Sequence, residues 1–251
     1  MTIGSERTIA GLLVRMDVLA AELEAERSPG RHFLSTYART TRAVAAALED
    51  GRFEDPPWVE EWDVAFADLY VDALRAYRRS RASAPRPWRV AFEADPSLPP
   101  IAHLLLGMNA HINYDLPQAL IEVIPPDDVG DTRLMERRRR DHERIDRVLI
   151  DRVAAEDVEV KRATGALRLI DHVMTPLNQA ATKRFLKEAR QKVWHNTLEL
   201  HRARVRGEPA YRRRLDDLEV LSAAKINDLL RPGAVVVRLG LIGFGVTLPP
   251  E

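Results

Sequence analysis

Histidine, asparagine and aspartate side chains recur at helical spacing in the middle of the chain. His103, His111 and Asp115 are eight and four residues apart, which places them on one ridge of a helix. Asn109 and Asn113 have the same four-residue spacing on the adjoining ridge. An imidazole and a carboxylate on one helical face can exchange a proton, and they can also share a divalent metal ion. These five residues are therefore the first candidates for a functional site.

The helix that would carry these groups has no polar face. Apolar residues point in every direction around its axis from Ile101 to Tyr114, and a helix that is hydrophobic all round is a buried one. A buried polar group without a partner costs about 1–3 kcal/mol, so we expect a hydrogen-bond network, ordered water, a metal or a ligand beside it. Gly107 on the same ridge indicates close helix packing or room for a ligand. We expect Pro117 to interrupt the helix and expose Asp115.

Each polar residue has a chemical role in the hypothesis that this segment is an active site. His111 is the general base or a metal ligand, Asp115 orients it or shares the metal, and His103 completes the catalytic set. The candidates for substrate binding are Asn109, Asn113 and Gly107, together with Tyr70 and Trp62 of an upstream helix. The alternative is structural, with the same groups only tying helices together.

A metal at this site would need ligands from other helices. The candidate partners are Asp68 on the upstream helix and His142 on a long charged helix. Both also have a simpler interpretation, Asp68 as part of a solvated acidic flank with Asp63 and Asp72, and His142 as part of a surface ion pair. The chain has no cysteine, so any metal must be held by His, Asp or Glu.

The elements around the segment are predicted to be helices as well. Apolar residues recur at three- and four-residue steps along most of the chain, which predicts an all-α, single-domain bundle of about seven to nine helices. The expected helices are 9–23, 32–48, 57–77, 88–92, 101–114, 131–153, 160–174, 176–205 and 208–230. Residues 1–232 form the helical domain, and residues 233–251, which are β-prone and glycine-rich, form a short extended or β-like tail packed on it.

Charge and motifs narrow the classes of function. The chain has 38 basic and 38 acidic residues, a balance that argues against nucleic acid or an anionic membrane as partner. No apolar stretch approaches the length of a membrane span, and no secretory signal begins the chain, so we expect a cytoplasmic protein. The di-iron Glu-x-x-His pair, the P-loop and the Gly-x-Ser-x-Gly elbow are absent from the sequence. The expected partner is a small-molecule substrate or ligand, with a homodimer as an open option.

Three segments resemble a helical bacterial family of unknown function that is common in actinobacteria: residues 107–117 (GMNAHINYDLP), 62–70 (WDVAFADLY) and 88–92 (WRVAF). The resemblance extends over about residues 33–198 and implies where the site lies, but no activity. His111-x-x-x-Asp115 is also similar to a segment of zinc-dependent phospholipase C and P1-type nucleases, which are all-helical. Those proteins continue with a further histidine, where this chain has Ala119-Leu-Ile-Glu122. That similarity therefore implies one or two metal ions rather than three.

Three hypotheses of function follow from the sequence. The first is an enzyme with a buried helical pocket that acts on a small, partly apolar molecule. Its chemistry would be His/Asp acid–base or metal-assisted, of hydrolase, lyase or cyclase type, and the cofactor is left open, with a divalent metal as one option. The second is a non-catalytic protein that binds a small molecule in the same pocket. The third is a structural protein with a buried polar network.

Overall fold

The computed structural model describes residues 8–145, 147, 148, 176–231 and 243–250. These residues are helical apart from short connectors and the last segment, and no β-strand occurs among them, which confirms the all-α class. The helix predicted over 160–174 and most of the β-prone run at 233–246 lie outside the described residues. No helix in the described ranges is both long enough and apolar enough to pass through a membrane.

The helices are numbered here in chain order. They are α1 (Ile9–Ala25), α2 (Gly30–Glu49), α3 (Pro56–Arg79), α4 (Arg86–Phe92), α5 (Pro100–Ala110), α6 (Leu116–Val123), α7 (132–145), α8 (Pro176–Val205) and α9 (Glu208–Leu230). Proline occupies the first turn of α3, α4, α5 and α9, where its missing N–H has no helical partner to lose. The sequence therefore marks where many of these helices begin.

Helices α5 and α6 form one central rod that the other helices surround. Helices α2, α4 and α9 pack against α5, while α3 and α8 pack against α6. The contact between α2 and α5 depends on Gly107, since a Cβ atom there would lie 2.7 Å from Cγ of Phe33. Of the two interpretations of this glycine, close packing is the one that the structure supports.

The predicted interruption at Pro117 takes another form in the structure. A single π-helical turn, His111–Asp115, joins α5 to α6, and the Leu116 N–H donates to the His111 carbonyl five residues back. The extra residue accommodates the proline ring without ending the rod. Asp115 is only 1% exposed, so the expectation that Pro117 exposes this carboxyl was wrong.

Candidate functional site

The π-turn brings His111 and Asp115 into direct contact inside the protein. His111 Nδ1 lies 2.8 Å from Asp115 Oδ2, and the indole N–H of Trp88 donates to the same oxygen at 2.8 Å. All three side chains are buried. Helix α4, a short element with one buried tryptophan, therefore supplies the third member of a hydrogen-bonded set.

Aromatic rings enclose the His111 imidazole. Phe66 stacks on it with ring centroids 3.5 Å apart, and the Tyr37 ring lies 4.6 Å away at a steep angle. In the described part of the chain, His111 Nε2 and the hydroxyls of Tyr37 and Tyr70 are buried without a hydrogen-bond partner. Unsatisfied buried groups are costly and rare in folded proteins. These three polar atoms around one ring could each bind an ordered water molecule or a ligand.

Burial favours the uncharged form of both members of the pair. It raises the pKa of Asp115 well above the ordinary value, although the hydrogen bond from Trp88 partly opposes this. Burial also lowers the pKa of His111 well below its usual range. Both shifts thus favour a protonated carboxyl for Asp115 and a neutral imidazole for His111. Asp115 therefore keeps its proton to a higher pH than an exposed carboxyl group would.

A cleft of about 450 Å³ reaches Asp115 from the surface. Its lining residues are Leu69, Asp72, Ala73, Ala76 and Arg79 of α3, with Pro85, Tyr114, Asp115 and Gln118 opposite. A volume of this size suits a small molecule. His111 is not among these residues, so Asp115 stands between the cleft and the imidazole.

The charged groups on α3 at the cleft differ in their surroundings. Asp72 lies 3.6 Å from Arg75 in an exposed ion pair. Arg79 is exposed at the end of α3 and forms no ion pair with any residue that the structure describes. The apolar side chains of Leu69 and Ala73 line the same helix face. The cleft thus combines an apolar wall with one cationic group, Arg79, and one carboxylate, Asp72, that is ion-paired with Arg75.

The structure does not bring His103 to the pair. His103 lies two turns before His111, about 12 Å along the helix axis, and its ring faces that of His32 with centroids 6.5 Å apart. Burial and the nearby His32 lower the pKa of His103. A catalytic role for His103 next to Asp115 has no support in this geometry.

The two asparagines of the adjoining ridge contact the C-terminal segment. The side-chain amides of Asn109 and Asn113 both donate to the Phe244 carbonyl, at 3.1 and 3.0 Å. Asn113 Oδ1 accepts from the Val246 N–H at 3.1 Å. Neither asparagine lines the cleft. Their partners come from the tail, and the structure gives no sign of a substrate contact.

The two aromatic residues predicted to bind substrate lie in different places. The Tyr70 ring is 5.0 Å from Trp88 and 6.2 Å from His111, in the aromatic shell of the pair. Trp62 packs between Trp58 and His142, with centroid distances of 5.5 Å to each. Only Tyr70 therefore belongs to the site around Asp115.

The predicted metal ligands do not converge. Asp68 forms an ion pair with Arg15 at 2.7 Å, and His142 is fully buried with its ring 5.6 Å from Trp194. In the described ranges, no three His, Asp or Glu side chains are grouped so as to hold a metal ion. The direct hydrogen bond between His111 and Asp115 also occupies the two atoms that would face a shared ion. These donors do not fit a metal centre.

Two sequence interpretations on the flanking helices were wrong. Asp63 was expected on a solvated flank, but it is 7% exposed, and burial raises its pKa to about 7 against the opposing charge of Arg190. His142 was expected in a surface ion pair, but it is fully buried, and burial together with Arg190 lowers its pKa. Sequence reasoning also missed Tyr37 and Phe66, because nothing in a helical apolar stripe separates them from ordinary core residues.

Comparison with known proteins gives a family but no activity. Neither the curated proteins nor the solved structures contain a match to this chain. A family model described as a family of unknown function, DUF5995, matches residues 9–232. This match includes the π-turn, α3 and α4, and hence every residue of the site around Asp115. The chain therefore belongs to the family of unknown function DUF5995.

Proposed function

We propose that this protein is an enzyme that binds a small, partly apolar molecule in the cleft and transfers a proton to it from Asp115. One observation carries the proposal: Asp115 lines the cleft, while Trp88 and His111 both form hydrogen bonds with Oδ2 of its carboxyl group. The sequence suggested His111 as the group that meets the substrate. The geometry favours Asp115 in that role, with His111 as the group that orients it.

The chemistry suits general acid catalysis. A carboxyl group whose pKa is raised by burial keeps its proton to a higher pH than a free carboxyl group and can donate it to a bound substrate. Within the described part of the chain, both hydrogen bonds of this carboxyl end on Oδ2, which leaves Oδ1 for a ligand. After the transfer, the Trp88 N–H stabilises the carboxylate. Proton transfer of this kind assists many reactions of hydrolase, lyase or cyclase type.

The lining of the cleft indicates the class of substrate. Leu69, Ala73 and Ala76 offer an apolar surface for a short hydrocarbon portion. Arg79 provides a cation for an anionic end group, and a carboxylate matches the guanidinium geometry. We therefore expect a small carboxylate-bearing molecule with a carbonyl or hydroxyl group that accepts the proton.

A substrate panel in heavy water tests this proposal. The protein is incubated in D₂O with short keto acids, unsaturated acids, hydroxy acids and their esters, and ¹H NMR follows hydrolysis, water addition or elimination, and deuterium incorporation. We expect turnover of at least one class, and a loss of about 10²-fold or more in Asp115→Asn, because a general acid contributes that much. The rate should also fall as the pH rises through the pKa of Asp115.

Asp127→Asn is the matched control, since it makes the same change at an exposed carboxylate that does not line the cleft. It should retain the activity. Equal rates in Asp115→Asn and the unmodified protein would contradict the proposal. Binding of the panel compounds without any turnover would contradict catalysis and favour a binding protein that uses the same cleft.

A further inference from the structure

The C-terminal segment, residues 243–250, is held by two buried side-chain amides. Asn113 donates to the Phe244 carbonyl at 3.0 Å and accepts from the Val246 N–H at 3.1 Å. Asn196 of α8 repeats the pattern one step along, donating to the Val246 carbonyl at 3.1 Å and accepting from the Leu248 N–H at 2.9 Å. Each amide thus binds the segment as the backbone of a neighbouring β-strand would.

Burial shows that the segment and the amides depend on one another. Asn113 and Asn196 are essentially inaccessible to solvent, and both amide groups find their partners in the segment. The side chains of Val246 and Leu248 point inward and are buried, whereas Thr247 between them is exposed. Without the segment the amides would lose these partners, so its docking is strongly favoured.

Further contacts fix the segment to the helices beyond the π-turn. The carbonyl of Leu248 lies 3.2 Å from His195 Nε2, and the carbonyl of Pro249 accepts from Arg214 of α9. Arg214 is itself buried against Glu199 at 3.1 Å. The segment therefore connects α8 and α9 to the π-turn.

We propose that docking of this C-terminal segment positions the His111–Asp115 pair, with Asn113 as the positioning residue that transmits it. Asn113 lies in the π-turn midway between the two members of the pair, two residues from each. Asn109, one turn earlier, donates to the same Phe244 carbonyl. The π-turn is the least regular part of the rod, and these bonds hold one side of it while His111 and Asp115 meet within it.

The inference rests on the proposed function in one respect, that the pair is the proton-transfer site. The test needs no substrate, so the inference can be confirmed even if the protein proves to have no enzymatic activity. NMR of full-length protein labelled with ¹⁵N and ¹³C reads two quantities. Hydrogen exchange at the amides of Val246 and Leu248 reports docking of the segment, and the ¹⁵N resonances of the His111 ring report the pair.

The variant to test is Asn196→Ala, which removes two hydrogen bonds to the segment and leaves the π-turn sequence intact. We expect exchange at Val246 and Leu248 to accelerate about tenfold or more, because these amides become free to open. The ¹⁵N resonances of the His111 ring should shift in the same variant. His111 bonds to Asp115, and its ring packs against the rings of Tyr37 and Tyr70. Its apparent pKa should rise toward the ordinary value as burial decreases.

Thr197→Val is the matched control on the next residue of α8. Thr197 is equally buried, but its hydroxyl donates to the Val193 carbonyl of its own helix and not to the segment. It should leave exchange in the segment and the His111 signals unchanged. If Asn196→Ala does not fold, Leu248→Pro removes one of the same bonds from the segment side.

Two outcomes would overturn the inference. Accelerated exchange in the segment with unchanged His111 signals would show that docking of the segment does not affect the position of the His111–Asp115 pair. Unchanged exchange in Asn196→Ala would show that the amides do not hold the segment.

Discussion

Asp63 of α3 is a buried carboxyl group, and one of its oxygens, Oδ2, has no hydrogen-bond partner in the described part of the chain. Burial raises its pKa to about 7 from an ordinary value of 3.8, and the charge of Arg190 opposes the rise. The folded protein therefore keeps a proton that the unfolded chain loses. Since the folded pKa is the higher one, the stabilisation is complete below about pH 4 and is lost as the pH rises through about 7.

The size of the effect follows from the difference between the two pKa values. About three pH units correspond to about 4 kcal/mol, since each unit is worth about 1.4 kcal/mol. This is a large part of the 5–15 kcal/mol that is usual for unfolding a domain. Asp63→Asn cannot ionise, so its free energy of unfolding relative to the unmodified protein should rise by about 4 kcal/mol between pH 4 and pH 8.

Urea unfolding followed by tryptophan fluorescence at several pH values measures this difference. Taking the variant relative to the unmodified protein cancels the pH dependence of all other groups. Asp72→Asn on the same helix is the control, because its carboxylate is exposed and should give no such rise. A difference for Asp63→Asn that stays constant across this pH range would refute the reasoning, because it would mean that Asp63 titrates alike in both states.

Two further predictions concern the rod and the pair. Gly107→Ala should lower the free energy of unfolding by about 1–3 kcal/mol, since its Cβ would press on the Phe33 ring. Thermal or urea unfolding measures this change. Gly130→Ala is the control and should not destabilise the protein, because a Cβ there meets nothing within 4 Å. Trp88→Phe should raise the pKa of Asp115 further, because it removes the N–H that favours the carboxylate. A ¹³C NMR titration of the Asp115 carboxyl group measures this pKa. An unchanged or lower pKa in the variant would contradict the prediction.

The local geometry of the site was largely predictable from spacing. Four residues on a helix bring two side chains together, and His111 and Asp115 do meet, although across a π-turn and not an α-turn. The buried character of the helix also followed from its apolar periodicity. The π-turn itself did not, because a proline in a helix has several structural consequences and the sequence does not choose among them.

The partners of the polar groups could not be predicted. Asn113 bonds to backbone atoms of Phe244 and Val246, more than 130 residues away, through main-chain groups that every residue type possesses. No side-chain pattern records such a contact. Likewise, Asp63 and Asp72 lie on the same helix, and only tertiary contacts determine which one is buried. Trp62, the neighbour of Asp63, packs on His142 of α7 and lies under Arg190 of α8.

The central claim is that a small molecule bound in the cleft meets the acid group of Asp115. Crystals soaked with levulinate, a short keto acid, test it directly. Ala76→Trp, which fills the cleft, and Arg75→Trp on the outer face of the same helix serve as the paired controls. The account predicts levulinate in the cleft of the unmodified protein and of Arg75→Trp, with its ketone oxygen within hydrogen-bond distance of Asp115. It predicts no levulinate in the cleft of Ala76→Trp. An empty cleft, or a ligand whose position is the same in Ala76→Trp, would contradict it.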